Sequence, residues 1–212
     1  MDFTKFVAML EEQALYFPNL TALTDDPLEG FVTTPTVENL CKGLNRTDSN
    51  VKLTLDLMKL SRYWIYVSSW HMSEHESAAM WKLYLKSGEG VAIQSTVGKL
   101  IESLKKVTFN VSIGMVKYVD YEKDEIPQCS ILSLATHKRK SFEHENELRA
   151  IITDRTYIEG LSVPVDLDAL IEKIFVAPTS PEWIHDLLTK VVTRYGLNKK
   201  VEKSILEQGP LY

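Results

Sequence analysis

Three charged residues alternate along one stretch of the chain, Glu145, Glu147 and Arg149, within Glu143-His144-Glu145-Asn146-Glu147-Leu148-Arg149. Successive side chains of a β-strand point to opposite faces. A strand beginning by Glu145 therefore sets these three on one side and Leu148, Ala150 and Ile152 on the core side. Two carboxylates on one face orient a nucleophile and stabilise a developing cation, and an arginine beside them holds either the carboxylates or a phosphate. Glu145, Glu147 and Arg149 are thus the catalytic candidates. The plain alternative is the solvated face of an edge strand, because alternating charge usually marks exposure.

Asp26 and Glu29 stand three apart in Asp26-Pro27-Leu28-Glu29. Two carboxylates at that spacing can share a cation. The same pattern also starts a helix: Asp caps, Pro takes the first helical position and Glu returns the bond. His71 and His75 are four apart, a spacing that suits zinc, with no cysteine or third histidine near in sequence. No residue is assigned to a metal. His137-Lys138-Arg139-Lys140 is the densest basic run, read as a solvated helix end or as a phosphate contact through Lys138. Trp70, Trp81 and Tyr84 are either core aromatics or a platform for a ring-bearing ligand. Walker, GxGxxG, GxSxG, HExxH and CxxC patterns do not occur, so the classes they mark lose support.

The elements that position these groups are legible from periodicity. Phe3, Phe6, Val7 and Leu10 recur at helical spacing, with Asp2 as the expected cap. Ala14 to Phe17 reads as a strand ended by Pro18. Residues 18 to 50 read as irregular apart from a helical stretch from Val37 to Leu44. Val51 to Tyr63 reads as a helix with Leu53, Leu57 and Leu60 on one side, followed by a strand over residues 64–70 rich in aromatic and β-branched residues. Ser73 and Glu76 fit a capping box for a helix from Glu74 to about Leu85. Val91 to Ile93 reads as a strand, and Val97, Leu100, Ile101 and Leu104 as a helix.

The alternation from Val107 to Met115 predicts a strand with a bulge or turn at Gly114. Lys138 to Phe142 reads as the end of a helix or a loop. Strands follow at 148–152 and 174–177. The last helix, 181–195, carries Ser180 at its cap, Pro181 at its first position and Gly196 as its stop. Helices and strands mix without strict βαβ alternation, which predicts an α+β class, a mixed sheet of short strands flanked by helices.

The 212 residues suit one α+β domain over 1–212. Composition is that of a globular protein, 44% hydrophobic and 25% charged. With 24 basic against 29 acidic residues the formal charge is −5, which disfavours nucleic acid as the main partner. Cys41 and Cys129, far apart and outside any CxxC, read as free thiols of a reducing compartment. No apolar run reaches the roughly 20 residues needed to span a bilayer, and the first residues lack the features of a secretory signal. A cytoplasmic location without membrane contact is expected; the oligomeric state is left open.

Taken together, several segments resemble a bacterial family catalogued as domain of unknown function 2971. They are Asp26-Pro27-Leu28-Glu29, Ser69-Trp70 followed by Met80-Trp81-Lys82-Leu83-Tyr84, Gly90-Val91-Ala92-Ile93, Lys138 through Phe142, and Glu145, Glu147 and Arg149. Their order and spacing carry the resemblance over about residues 1–180. Members often begin with a short aromatic and basic strand before the first helix. Here the helix starts at once, so no group from such a strand is expected.

The layout is also similar to ADP-ribosyltransferases: an early strand, a serine-bearing strand leading to an aromatic helix, and a later Glu-x-Glu strand. That likeness implies a site for nicotinamide adenine dinucleotide (NAD). Ser69 or Ser68 would lie on the middle strand, with Trp81 and Tyr84 near the nicotinamide. Glu147 would stabilise an oxocarbenium ion and Glu145 orient the acceptor. The leading expectation is a nucleotide-type pocket lined by Trp70, Trp81, Tyr84, Glu145, Glu147 and Arg149, with Ser69, Lys138, Asp26 and Glu29 as further ligand contacts. The alternatives are a metal-dependent hydrolase on Asp26, Glu29, Glu145 and Glu147, and a non-catalytic interaction protein.

Overall fold

In the computed structural model, residues 1–42, 48–85, 88–126 and 130–207 are described. Cys129 and the expected helix end at Leu44 lie outside them; Cys41 is a free, exposed thiol. The helices are α1 (Phe3–Glu12), α2 (Thr34–Lys42), α3 (Asp48–Ser61), α4 (Ala78–Tyr84), α5 (Val97–Leu104), α6 (Ile131–Thr136), α7 (Leu167–Leu170) and α8 (Glu182–Arg194). The strands are β1 (Ala14–Pro18), β2 (Ile65–His71), β3 (Val91–Gln94), β4 (Val111–Met115), β5 (Lys117–Val119), β6 (His137–Arg139), β7 (Glu147–Thr153), β8 (Gly160–Pro164), β9 (Lys173–Val176) and β10 (Val201–Lys203). The class is α+β. Instead of one mixed sheet, the described strands form several small ones. The chain divides into two compact units, Met1–Leu15 with Ser73–Thr108 and Ser162–Tyr212, and Tyr16–Met72 with Phe109–Leu161.

The second of these units is built on the sheet β2-β7-β4, with β7 central and antiparallel to both neighbours. Six of the seven β7 residues are buried, with only Thr153 exposed, so β7 is not an edge strand with a solvated face. Its length of apolar and charged residues alike is covered because neighbours lie along both sides and α6 packs on one face. On that face Val67 stands opposite Ile151, Ser69 opposite Arg149 and His71 opposite Glu147. The apolar end of the face, with Ile65, Val67 and Ile151, closes on Leu20, Leu134 and Ala135 in one cluster. Fully burying each large aliphatic side chain there contributes about 1.5–3 kcal/mol.

Several expectations for this unit need correction. The strand expected from Val107 starts only at Val111, and the break falls at Val116, not Gly114. Val116 N–H leaves the regular ladder to donate to Glu147 O at 2.8 Å. Lys138 lies in β6, paired parallel to β5, and not at a helix end. Leu53, Leu57 and Leu60 do share a helix, yet all three are exposed. Helical periodicity reports a stripe but not what covers it. Asp26 to Glu29 forms a turn and not a helix start. Leu28 N–H donates to Asp26 Oδ1 at 3.0 Å, and the Glu29 carboxylate turns inward instead of returning a capping bond.

In the first unit β9 is central, parallel to β10 and antiparallel to β3. Phe6, Met9 and Leu10 of α1, Leu100 and Leu104 of α5, and Ile184, Leu188 and Val192 of α8 supply its buried apolar faces. Three side chains cap helix N-termini here: Ser77 for α4, Thr96 for α5 and Asp166 for α7. The cap therefore falls four residues after the expected Ser73, as a single bond from Met80 N–H to Ser77 and not as a capping box. Glu76 instead accepts from the Trp81 indole, from Ser204 and from Ile205 N–H, so it ties the C-terminal turn to α4. Asp2 precedes α1 without a side-chain cap bond. At α8, Pro181 is the cap residue, one position later than the expected Ser180. Ser180 donates its hydroxyl to Gly88 O, and Gly196 takes φ +75° just past the helix end, a conformation glycine adopts without strain.

Candidate functional site: a buried charge network at the head of β7

The charged end of the β7 face gathers Glu29, Lys138, Glu145, Glu147 and Arg149, each less than a tenth exposed. Asn146, with φ +37°, makes the tight turn that ends the short helical turn at Glu145 and starts β7 at Glu147. Asparagine tolerates that left-handed backbone better than most residues. Glu145 is therefore not in the strand, although it still joins the same cluster from the turn before it.

Arg149 is the centre. Its Nε donates to Glu147 Oε1 at 2.8 Å and its Nη2 to Glu147 Oε2 at 2.9 Å. Toward the other side, Nη1 donates to Glu29 Oε1 at 2.7 Å and Nη2 to Glu29 Oε2 at 3.2 Å. A further Nη1 bond of 2.9 Å reaches the Ala135 carbonyl at the end of α6. A guanidinium has five N–H donors, and these five bonds use them all. Arg149 thus has no donor left for a phosphate, which removes that part of its expected role.

Lys138 completes the cluster. It bonds Glu145 directly and stands 3.6 Å from Glu147 and 3.8 Å from Glu29. Its ammonium also lies 4.7 Å from the Phe142 ring centre, a favourable cation–π distance. Lys138 is an internal counter-ion and not an exposed phosphate contact. Formally, three carboxylates face two cations. Next to them Asp26, almost fully buried, accepts from Arg139 Nη2 at 2.7 Å.

These neighbours set the ionisation of the group. Burial alone would raise the Glu147 carboxyl, but Arg149, then Lys138 and a hydrogen bond from Ser69, outweigh it and hold it below its ordinary value. Burial likewise disfavours the Arg149 cation, and Glu29 and Glu147 more than reverse that. Tyr118 accepts Glu147 N–H at 2.8 Å through its hydroxyl. Burial, with Glu147 and Glu145 nearby, pushes its phenol up to about 12, so it stays protonated and able to donate.

The structure brings together Glu29, Lys138, Glu145, Glu147, Arg149 and Ser69, with Asp26 bound to the neighbouring Arg139. It does not bring Trp70 to them: Trp70 stands opposite Leu148, on the other face of the sheet, and its indole donates to Ser68. Trp81 and Tyr84 are on α4 in the first unit, Trp81 partly buried and Tyr84 exposed. Among the described residues, no group of three or more His, Cys, Asp or Glu is arranged to hold a metal; Glu29 and Glu147 direct their oxygens at Arg149 instead. His71 donates through Nδ1 to Glu145 O, and His75 is exposed. Tyr118 and Arg139 were not expected at the site. Arg139 was visible only as part of a basic run, and Tyr118 carried no local signal.

Fold and site define an α+β protein with a Glu-x-Arg strand buried at the centre of a small antiparallel sheet, and a further glutamate in the turn before it. The model of a family described as a protein of unknown function, DUF2971, matches residues 80–150, from α4 into β7. Over those residues the chain is similar to the family that the resemblance named. No curated protein and no solved structure matches the chain.

Proposed function

We propose that the head of β7 is the site of a nucleotide-type ligand in a cytoplasmic protein, with ADP-ribosyl transfer from NAD as the reaction. One observation carries this reading. The Glu147 carboxylate is kept ionised in a buried place directly beneath Ser69, which is exposed and hydrogen-bonds it. A fixed anion in surroundings of low polarity stabilises a developing positive charge without reorganising. In this reaction the bond between nicotinamide and ribose breaks, and the ribosyl carbon carries the positive charge. Glu147 faces that charge. Arg149 and Glu29 hold Glu147 in place, and Glu145 orients the acceptor. Ser69 meets the ligand, and Arg139, about a third exposed at its side chain, is a partly exposed cation for phosphate oxygens. The reading uses groups of one unit alone.

The test is calorimetric titration of the purified protein with NAD, together with an assay of nicotinamide release. Saturable binding and release are expected, both lost in Ser69→Ala while the melting temperature stays unchanged. Absence of binding in the folded wild type removes the proposal.

A second reading is favoured by the saturation of Arg149: a non-catalytic interaction protein in which the network only specifies the fold. Here Ser69→Ala changes nothing, and substitutions at Glu147 act through stability alone.

A further inference from the structure

The opposite end of β7 carries a separate feature. The chain leaves β7 into the loop Asp154–Glu159, which is held from beneath by buried polar groups. Tyr66, with no exposure, places its hydroxyl 2.9 Å from Thr156 Oγ1 and accepts Ile158 N–H at 3.3 Å. Asn19, also buried, donates its side-chain amide to Ile158 O at 2.8 Å, and its backbone N–H to Glu159 O at 2.8 Å. Within this frame Tyr157 adopts φ +55°. A non-glycine residue in that region is strained and persists where the surroundings impose it. The result is that Tyr157 and Ile158 point outward, half exposed, beside the equally exposed Tyr63.

Tyr63, Tyr157, Glu159 and Thr21 border a depression of about 320 Å³. Thr21 is already bonded to Asn19. Glu159 has no ion pair among the described residues, and its charge is felt at Tyr16. Tyrosines lining a depression beside a carboxylate without an ion pair among the described residues supply the two attractions that draw organic cations, ring quadrupole and charge. The same cluster already uses this attraction internally: Arg155 lies 4.2 Å over the Trp64 ring, and Trp64 stands 5.9 Å from Tyr157. Arg155 thereby occupies Trp64, whereas Tyr63 and Glu159 are left to an external group.

We propose that this depression binds an organic cation, an alkylated ammonium or a guanidinium group, between Tyr63 and Tyr157 with Glu159 as its counter-ion. The site is independent of the β7 network. Its function would be recognition of a cationic ligand, either a free small molecule or a side chain presented by a partner.

Isothermal titration of the whole chain with tetramethylammonium chloride, and separately with N-acetyl-arginine amide, tests this against matched sodium chloride. Saturable binding by at least one probe is expected. Glu159→Gln and Tyr157→Gly should each weaken it roughly three- to tenfold. Tyr157→Gly also relieves the left-handed backbone, so its melting temperature should not fall, which separates lost recognition from lost folding. Preference for tetramethylammonium points to a free alkylammonium ligand, and preference for the arginine amide points to a guanidinium on a partner. Equal response to sodium chloride, or unchanged binding in both variants, overturns the proposal.

Discussion

Glu29 and Arg149, 120 residues apart in the chain, meet through two hydrogen bonds of 2.7 and 3.2 Å in the interior of one unit. The turn that starts at Asp26 is thereby fastened to the middle of the central strand. Arg139 fastens the same turn a second time through Asp26. Two carboxylates of an irregular segment become part of the core because two arginines on regular elements meet them.

Removing the arginine should be severe. Arg149→Met leaves Glu29 and Glu147 buried without their main counter-ion, which costs about 3–5 kcal/mol when one partner of a buried pair is lost. Urea denaturation measures it. A loss below about 1 kcal/mol would show that solvent reaches the site and that the network is not closed. Replacing Glu29 and Glu147 by leucine in the same variant should recover part of the loss, since an apolar cluster of similar volume avoids the desolvation cost.

The coupling between the two ends of the link can be isolated. A double-mutant cycle on Glu29→Gln and Arg149→Met should give a coupling of about 1–3 kcal/mol, as for contacting residues in one network. Additive effects would mean that Glu29 is not held by Arg149 in solution.

Acid should weaken the fold in a defined window. The Glu147 carboxyl is held below its ordinary value of 4.5 in the folded state. Its contribution is therefore complete above that value, where the unfolded chain is also ionised. As pH falls further, the unfolded chain takes up the proton first, and the contribution is lost down through the depressed folded value. Denaturation midpoints recorded between pH 7 and 3 should fall in the acid part of that range. The fall should be shallower in Glu147→Gln. An identical profile in both proteins would assign the acid sensitivity to other carboxylates.

Gly30 should resist substitution. It takes φ +73°, and a Cβ there would lie 2.8 Å from Leu20 Cδ1 and 3.1 Å from Arg62 Cγ. Gly30→Ala should lower stability by more than about 1 kcal/mol, because alanine at positive φ is strained in addition to the crowding. Thermal melting checks this. An unchanged midpoint would mean that the turn after Glu29 relaxes freely.

Leu57→Lys on α3 should be nearly neutral, within about 0.5 kcal/mol, as for a surface change. Leu57 is more than half exposed. A large loss of stability would show that the leucine stripe is covered in solution.

Much of the architecture was legible in local pattern. The helices at Phe3, Val97 and Glu182 follow from apolar spacing alone, and the strands at Ala14, Ile65, Val91 and Lys173 follow from short apolar or β-branched runs. Boundaries were less secure where two side chains competed for one role. Ser73 and Ser77 both offer a cap, and the choice depends on Glu76 being drawn to Ser204 and Ile205, which are distant in sequence. Strand length failed at Val107 to Asn110 for a similar reason: alternation was present, but ladder partners from β7 begin only at Val111.

The chemistry divides in the same way. Residue order alone established that Glu147 and Arg149 share a face, since the two-residue period of a strand requires it; it set Glu145 on that face too, whereas Glu145 joins from the turn before the strand. Tertiary structure alone decided that this face is buried, that Glu29 and Lys138 complete it, and that Trp70 stands on the opposite side. Alternation tells which side chains point together. Whether water or another segment lies above them depends on contacts a hundred or more residues away, and for ionised groups that difference sets both their charge and what they can do.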